Sequence, residues 1–147
     1  MKILMVCLGN ICRSPLAQGI MELHAPADWR IDSAGTSGWH EDERPDTRSI
    51  LIAKERGIAI DHQRSRQVNE EDFETFDIIF AMDSSNYTNL IRLAPNEAAK
   101  AKVRLILNEA YPGENRQVPD PYTGGQSGFR HVYELLEEAV QSFIKKH

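Results

Sequence analysis

Four apolar residues, Ile3-Leu4-Met5-Val6, run straight into Cys7-Leu8-Gly9-Asn10-Ile11-Cys12-Arg13-Ser14-Pro15, and that junction leaves the N-terminal part of the chain few ways to fold. A short apolar run without alternation is the pattern of a strand buried on both faces, so it predicts a parallel strand ending at Cys7. Ser14 and Pro15 carry N-cap and first-turn chemistry, and Leu16, Ile20 and Leu23 recur on one helical face, which predicts a helix starting right after Arg13. Strand, tight loop and helix together put the loop at the strand's carboxyl end. In an open α/β sheet the ligand crevice lies there, and free N–H groups at the helix start favour an anion.

The loop also carries chemistry. Cys7 and Arg13 are separated by five residues, so a single turn of chain can close around a tetrahedral oxyanion. A thiolate is the attacking form of cysteine, and a helix N-terminus beside an arginine is a setting that favours it. Arg13 can offer two parallel donors to two phosphate oxygens, which a lysine cannot. Ser14 is close enough in sequence to donate a hydrogen bond to the Cys7 sulfur and stabilise it as a thiolate. Attack on a phosphate monoester further needs an acid to protonate the departing oxygen. Asp120, held between Pro119 and Pro121, is the best candidate: the following proline restricts it to an extended conformation that can project its carboxyl group. The plainer reading of Pro119–Gly125 is a strong turn, and the presence of Cys7 and Arg13 favours the acid.

Further strand-like runs lie around Arg30–Ser33, at Asp77–Met82 and at Val103–Leu107, separated by helical stretches. Ser84-Ser85-Asn86 offers a cap for a helix carrying Tyr87, Leu90 and Ile91. Phe129, Val132, Leu136, Val140, Phe143 and Ile144 mark a long amphipathic helix near the C-terminus. The alternation predicts an α/β, flavodoxin-like, doubly wound fold: a central four-stranded parallel sheet with helices on both faces and the ligand at the first strand's carboxyl end.

The chain has 147 residues, of which 41% are hydrophobic. That suffices for one buried core, and a single domain over residues 1–147 is expected. A net charge of −5 without a Lys/Arg stripe disfavours nucleic acid. No run reaches membrane-spanning length, and the apolar start is too short for a signal sequence. Two cysteines in one loop point away from a disulfide framework and toward a reducing, cytoplasmic setting. Glu41-Asp42-Glu43 beside His40 lacks ligand spacing and reads as a solvated loop, so no metal and no cofactor are expected.

These residues resemble the low-molecular-weight protein tyrosine phosphatases. The likeness rests on Val6–Pro15 and on Asp120-Pro121-Tyr122. It extends through Asp32-Ser33-Ala34-Gly35-Thr36 with Trp39, Pro45-Asp46-Thr47-Arg48, Arg66-Gln67-Val68 and Phe76–Asp83. The resemblance implies Cys7 as nucleophile, Arg13 as phosphate clamp and Asp120 as general acid and later base. It makes Leu8, Gly9, Asn10, Ile11, Cys12 and Ser14 the phosphate-binding loop, braced by Ser33, with Leu8, Ile11, Trp39 and Tyr122 as walls of the substrate slot. It further implies that Cys12 is a redox partner able to trap an oxidised Cys7 as a disulfide. The expected substrate is a phosphotyrosine protein or an aryl phosphate and the product inorganic phosphate, with the chain a monomer or at most a weak dimer. Two rival readings are a thiol-dependent arsenate reductase on the same scaffold and a catalytically silent phosphotyrosine-binding or redox-sensing module. A thiol relay needs cysteines beyond Cys12, and the chain has none. The sequence departs from the family at Thr123, where many members carry an aromatic residue, and around Ile60–Gln63, where His62 receives no role.

Overall fold

The computed structural model describes residues 1–147. Its elements are β1 (Lys2–Cys7), α1 (Arg13–His24), β2 (Arg30–Gly35), α2 (Thr47–Glu55), a single turn α3 (Asp72–Thr75), β3 (Ile78–Ala81), α4 (Ser84–Leu93), a single turn α5 (Glu97–Lys100), β4 (Val103–Leu105), a 3-10 turn at Ile106–Glu109 and α6 (Gln126–Lys145). The sheet has four strands in the order β2-β1-β3-β4, and every pairing is parallel.

Burial explains the layering. Successive side chains of β1 point to opposite faces. Ile3, Met5 and Cys7 join a core under α1, α2 and α6 that includes Leu16, Ile20, Phe80, Phe129, Tyr133 and Phe143. Leu4 and Val6 join the opposite core with Phe73, Ile79, Leu90 and Val103, beneath α3 to α5. β1 thus has no polar face, which is why its run reads as continuously apolar. The chain goes from β1 outward to β2 on one side and returns to β3 on the other. The strand order reverses at β1, and the crevice of a doubly wound sheet opens at that point. No helix is long and apolar enough to cross a membrane.

Several local expectations change. α1 begins at Arg13, and Ser14 lies in its first turn, its hydroxyl engaged by the loop; the cap position is Cys12, with no side-chain cap bond. The buried face of α1 runs through Leu16, Ala17, Ile20 and Met21, and Leu23 turns outward to 55% exposure. α4 is capped by Asp83 ahead of Ser84: its carboxylate accepts from the Asn86 N–H at 2.8 Å while Asn86 reciprocates to the Asp83 N–H at 3.2 Å. β4 stops at Leu105, where the chain tightens into the 3-10 turn.

Candidate active site

β1 delivers Cys7 at the switch point and α1 restarts the chain at Arg13, so residues 8–12 must turn sharply. Asn10 makes that turn with φ of +58°, in the left-handed region that asparagine tolerates better than other non-glycine residues. Its buried side chain fixes the loop from within. Nδ2 donates to Ser14 Oγ at 2.8 Å and to Ser33 Oγ at 3.0 Å, while Oδ1 accepts from the Arg66 N–H at 3.0 Å. Arg66 is held in turn by Asp72 and Asp32. Ser14 Oγ lies 3.1 Å from Cys7 Sγ. The N–H groups of Gly9 to Cys12 donate to no backbone carbonyl. Together with the uncapped start of α1 they form a ring of free donors for an oxyanion.

Arg13 is almost fully buried, 2% exposed, beside this ring. Its Nη1 donates to Asp83 Oδ2 at 2.7 Å and to the Val118 carbonyl at 3.0 Å; its Nη2 is 3.8 Å from Asp120 Oδ2. Burial opposes the guanidinium charge, but Cys7, Asp83 and Asp120 outweigh it and raise Arg13 above its ordinary value. The cation is thereby fixed in both charge and direction. Sequence reasoning gave Asp83 no part in the site. The available signal was its position, one residue beyond Met82 at the carboxyl end of a buried strand adjacent to β1, where crevice residues fall.

Cys7, Leu8, Gly9, Ile11, Cys12, Arg13, Trp39, His40, Asp120 and Tyr122 line one cavity of about 140 Å³. Apolar cavities of about that volume accept a benzene ring. Trp39 is 76% exposed and Tyr122 half exposed, so both stand as walls at the mouth and not as core anchors. Asp120 sits at the rim with its carboxylate 46% exposed, and its Oδ1 accepts from the Tyr122 N–H at 3.0 Å. The site therefore gathers the sequence-predicted Cys7, Arg13 and Asp120 with Leu8, Ile11 and the two aromatic walls, while Asn10, Ser14 and Ser33 form the network beneath. His40, read from sequence as part of a solvated loop, instead lines the cavity; its Nδ1 pairs with Glu43 at 2.9 Å. His62 is exposed, and the neighbouring Gln63 is the buried residue, donating to the Pro15 carbonyl at 3.1 Å. Burial, followed by the charges of Asp46 and Cys7, pushes the Cys12 thiol far up, which favours its protonated form within the loop.

The family model described as low molecular weight phosphotyrosine protein phosphatase matches residues 2–147. The chain belongs to this family. A relative from Schizosaccharomyces pombe, a low molecular weight phosphotyrosine protein phosphatase, is 44% identical over 98% of this chain and 95% of its own length. Among solved structures, the protein tyrosine phosphatase of Entamoeba histolytica superposes with a TM-score of 0.92 at 42% identity, covering 99% of this chain and 96% of that one. Vibrio vulnificus Wzb, solved in complex with benzylphosphonate, superposes with a TM-score of 0.89 at 29% identity, covering 99% of this chain and 98% of that one. The flavodoxin-like fold expected from the strand pattern is the fold of these family members.

Proposed function

We propose that this family member hydrolyses phosphotyrosine and other aryl phosphate monoesters through a phosphocysteine intermediate, without a metal. The observation that carries the reading is the convergence of Cys7, Arg13 and Asp120 on one ring-sized cavity with aromatic walls. In the first step the Cys7 thiolate attacks phosphorus in line. Arg13 and the loop N–H groups hold the equatorial oxygens, and Asp120 gives its proton to the leaving phenolic oxygen. In the second, ionised Asp120 takes a proton from water, which displaces the Cys7 thiolate and releases inorganic phosphate. Leu8, Ile11, Trp39 and Tyr122 set a depth that an aryl group spans and a serine phosphate does not.

Cys12 lies in the same loop and can trap a Cys7 sulfenic acid as a disulfide, its thiol proton leaving with the sulfenic oxygen as water. We assign the chain one catalytic domain, residues 1–147, acting as a monomer or at most a weak dimer, and a cytoplasmic setting, which suits two unpaired cysteines. The test is hydrolysis of an aryl phosphate in the presence of a chelator near pH 5–6, by wild type, Cys7→Ser and Asp120→Ala, with an alkyl phosphate and arsenate plus thiol as comparisons. Aryl turnover lost in Cys7→Ser and slowed in Asp120→Ala supports the reading. Loss of wild-type activity on chelation, or consumption of thiol by arsenate without aryl turnover, overturns it.

A further inference from the structure

The two loops that must meet in the reaction come from opposite ends of the chain, and beside Arg13, which reaches Val118 and Asp120 directly, one further side chain joins them. The N-terminus of α2 is tied to the cysteine loop: the Asp46 N–H donates to the Ile11 carbonyl at 2.8 Å, and Ser49 Oγ donates to the Cys12 carbonyl at 3.1 Å. From the same turn Arg48 reaches across to the loop that follows Asp120. Its Nη2 donates to the Tyr122 carbonyl at 2.8 Å and its Nη1 to the Gly124 carbonyl at 2.9 Å. The Asp46 carboxylate grips the other edge of the guanidinium, accepting from Nε and Nη2 at 3.0 Å each. The guanidinium carbon lies over the buried Phe129 ring, 4.5 Å from its centroid. Every guanidinium nitrogen is thus committed, and its orientation is fixed from three sides.

The connection to the chemistry is one peptide long. Tyr122, whose carbonyl Arg48 holds, is the residue whose N–H holds Asp120 Oδ1. We propose that Arg48 is a positioning residue for proton transfer, setting the Asp120 carboxylate at its distance from the Cys7 loop through Tyr122. This rests on Asp120 being the general acid. Arg13 Nη2 stands 3.8 Å from one oxygen of this half-exposed carboxylate and the Tyr122 N–H holds the other at 3.0 Å, so the Tyr122 peptide carries the shorter hold; a displacement of about 1 Å in such a group costs on the order of 100-fold in rate.

The experiment compares kcat/KM for phenyl phosphate, whose leaving oxygen needs a proton, with dinitrophenyl phosphate, whose leaving oxygen does not. Wild type, Asp120→Asn, Arg48→Met and Arg48→Lys are measured, with inhibition by inorganic phosphate as a readout of the cysteine loop alone. We expect Arg48→Met to lose about 10- to 100-fold on phenyl phosphate and less than about threefold on dinitrophenyl phosphate, with phosphate inhibition unchanged. Arg48→Lys keeps the charge and loses the fork, so it follows Arg48→Met; it also stands in if the methionine variant fails to fold. If Asp120→Asn shows the selective loss and the Arg48 variants lose both substrates equally, or neither, positioning by Arg48 is overturned while the acid assignment stands. If Asp120→Asn shows no selective loss, the acid assignment itself fails.

Discussion

Replacing Ser14 with alanine removes one hydroxyl from beneath the nucleophile. Ser14 Oγ accepts from Asn10 Nδ2 at 2.8 Å, so its own proton is free to point at Cys7 Sγ, 3.1 Å away. A thiolate can only accept, which fixes the direction of that bond in the reactive form. A hydrogen bond to a charged group is worth about 1.5–3 kcal/mol net, and at about 1.4 kcal/mol per decade this corresponds to roughly 10- to 150-fold in rate. The bond matters most when sulfur departs as a thiolate, in the breakdown of phosphocysteine. Stopped-flow turnover of p-nitrophenyl phosphate separates the steps. Ser14→Ala should lower steady-state kcat by about 10- to 150-fold and leave a burst approaching one nitrophenolate per site, because the intermediate forms and then waits. The substitution also strands one buried Asn10 proton, at about 1–3 kcal/mol of folding stability, so urea unfolding should show a lower midpoint. A kcat within about twofold of wild type, with the fold intact, would refute the reasoning.

Other outcomes follow from the same contacts. The Asp46 carboxyl is pulled below the usual carboxylate range by its bond from the Arg48 side chain, against the opposing effect of burial. Its stabilisation is therefore present above the unfolded carboxylate value and fades as pH falls through the lower folded one. Asp46→Asn, which keeps the acceptor for the Arg48 N–H, should cost about 1 kcal/mol at pH 7 and progressively less below about pH 4, read by urea midpoints at both pH values. Because burial keeps the Cys12 thiol protonated, iodoacetamide should modify Cys7 alone in the native protein, as peptide mass mapping would show. With the disulfide route removed, Cys12→Ser should lose activity to peroxide in a form that added thiol no longer restores, and full recovery would contradict the pairing. The Tyr133 hydroxyl is buried without a hydrogen-bond partner, so Tyr133→Phe should leave the melting temperature equal or higher; a drop of several degrees would reveal a partner.

What the sequence made legible was local. Cys7 to Pro15 is contiguous, so its strand-loop-helix geometry and its pairing of thiol with guanidinium could be read directly. The unalternating run of β1 announced burial on both faces. The parts that escaped depend on chain brought from far away. Asp83 reaches Arg13 across 70 positions and the Val118 carbonyl across 105, and neither carries a local signature of that role. The cap of α4 is ambiguous in the sequence because Asp83, Ser84 and Ser85 are all competent caps; reciprocation by Asn86 decides it, and that is a property of the folded turn. Leu23 failed as a core residue because the face of α1 turned to the sheet and α6 is set by tertiary packing, which buries Ala17 and Met21 in its stead. His40 was hidden by its acidic neighbours, whose composition signals solvent whether or not one side chain of the loop turns inward.

The proposed reaction passes through a phosphorylated Cys7. Rapid acid quench of the enzyme during turnover of an aryl phosphate, followed by intact-mass and peptide mass spectrometry, tests it most directly. We predict one added phosphoryl group per chain, located on the peptide containing Cys7, at higher occupancy in Ser14→Ala and absent from Cys7→Ser. Continued phosphate release by Cys7→Ser, or wild-type turnover with no phosphoryl group on Cys7 at any quench time, would contradict it.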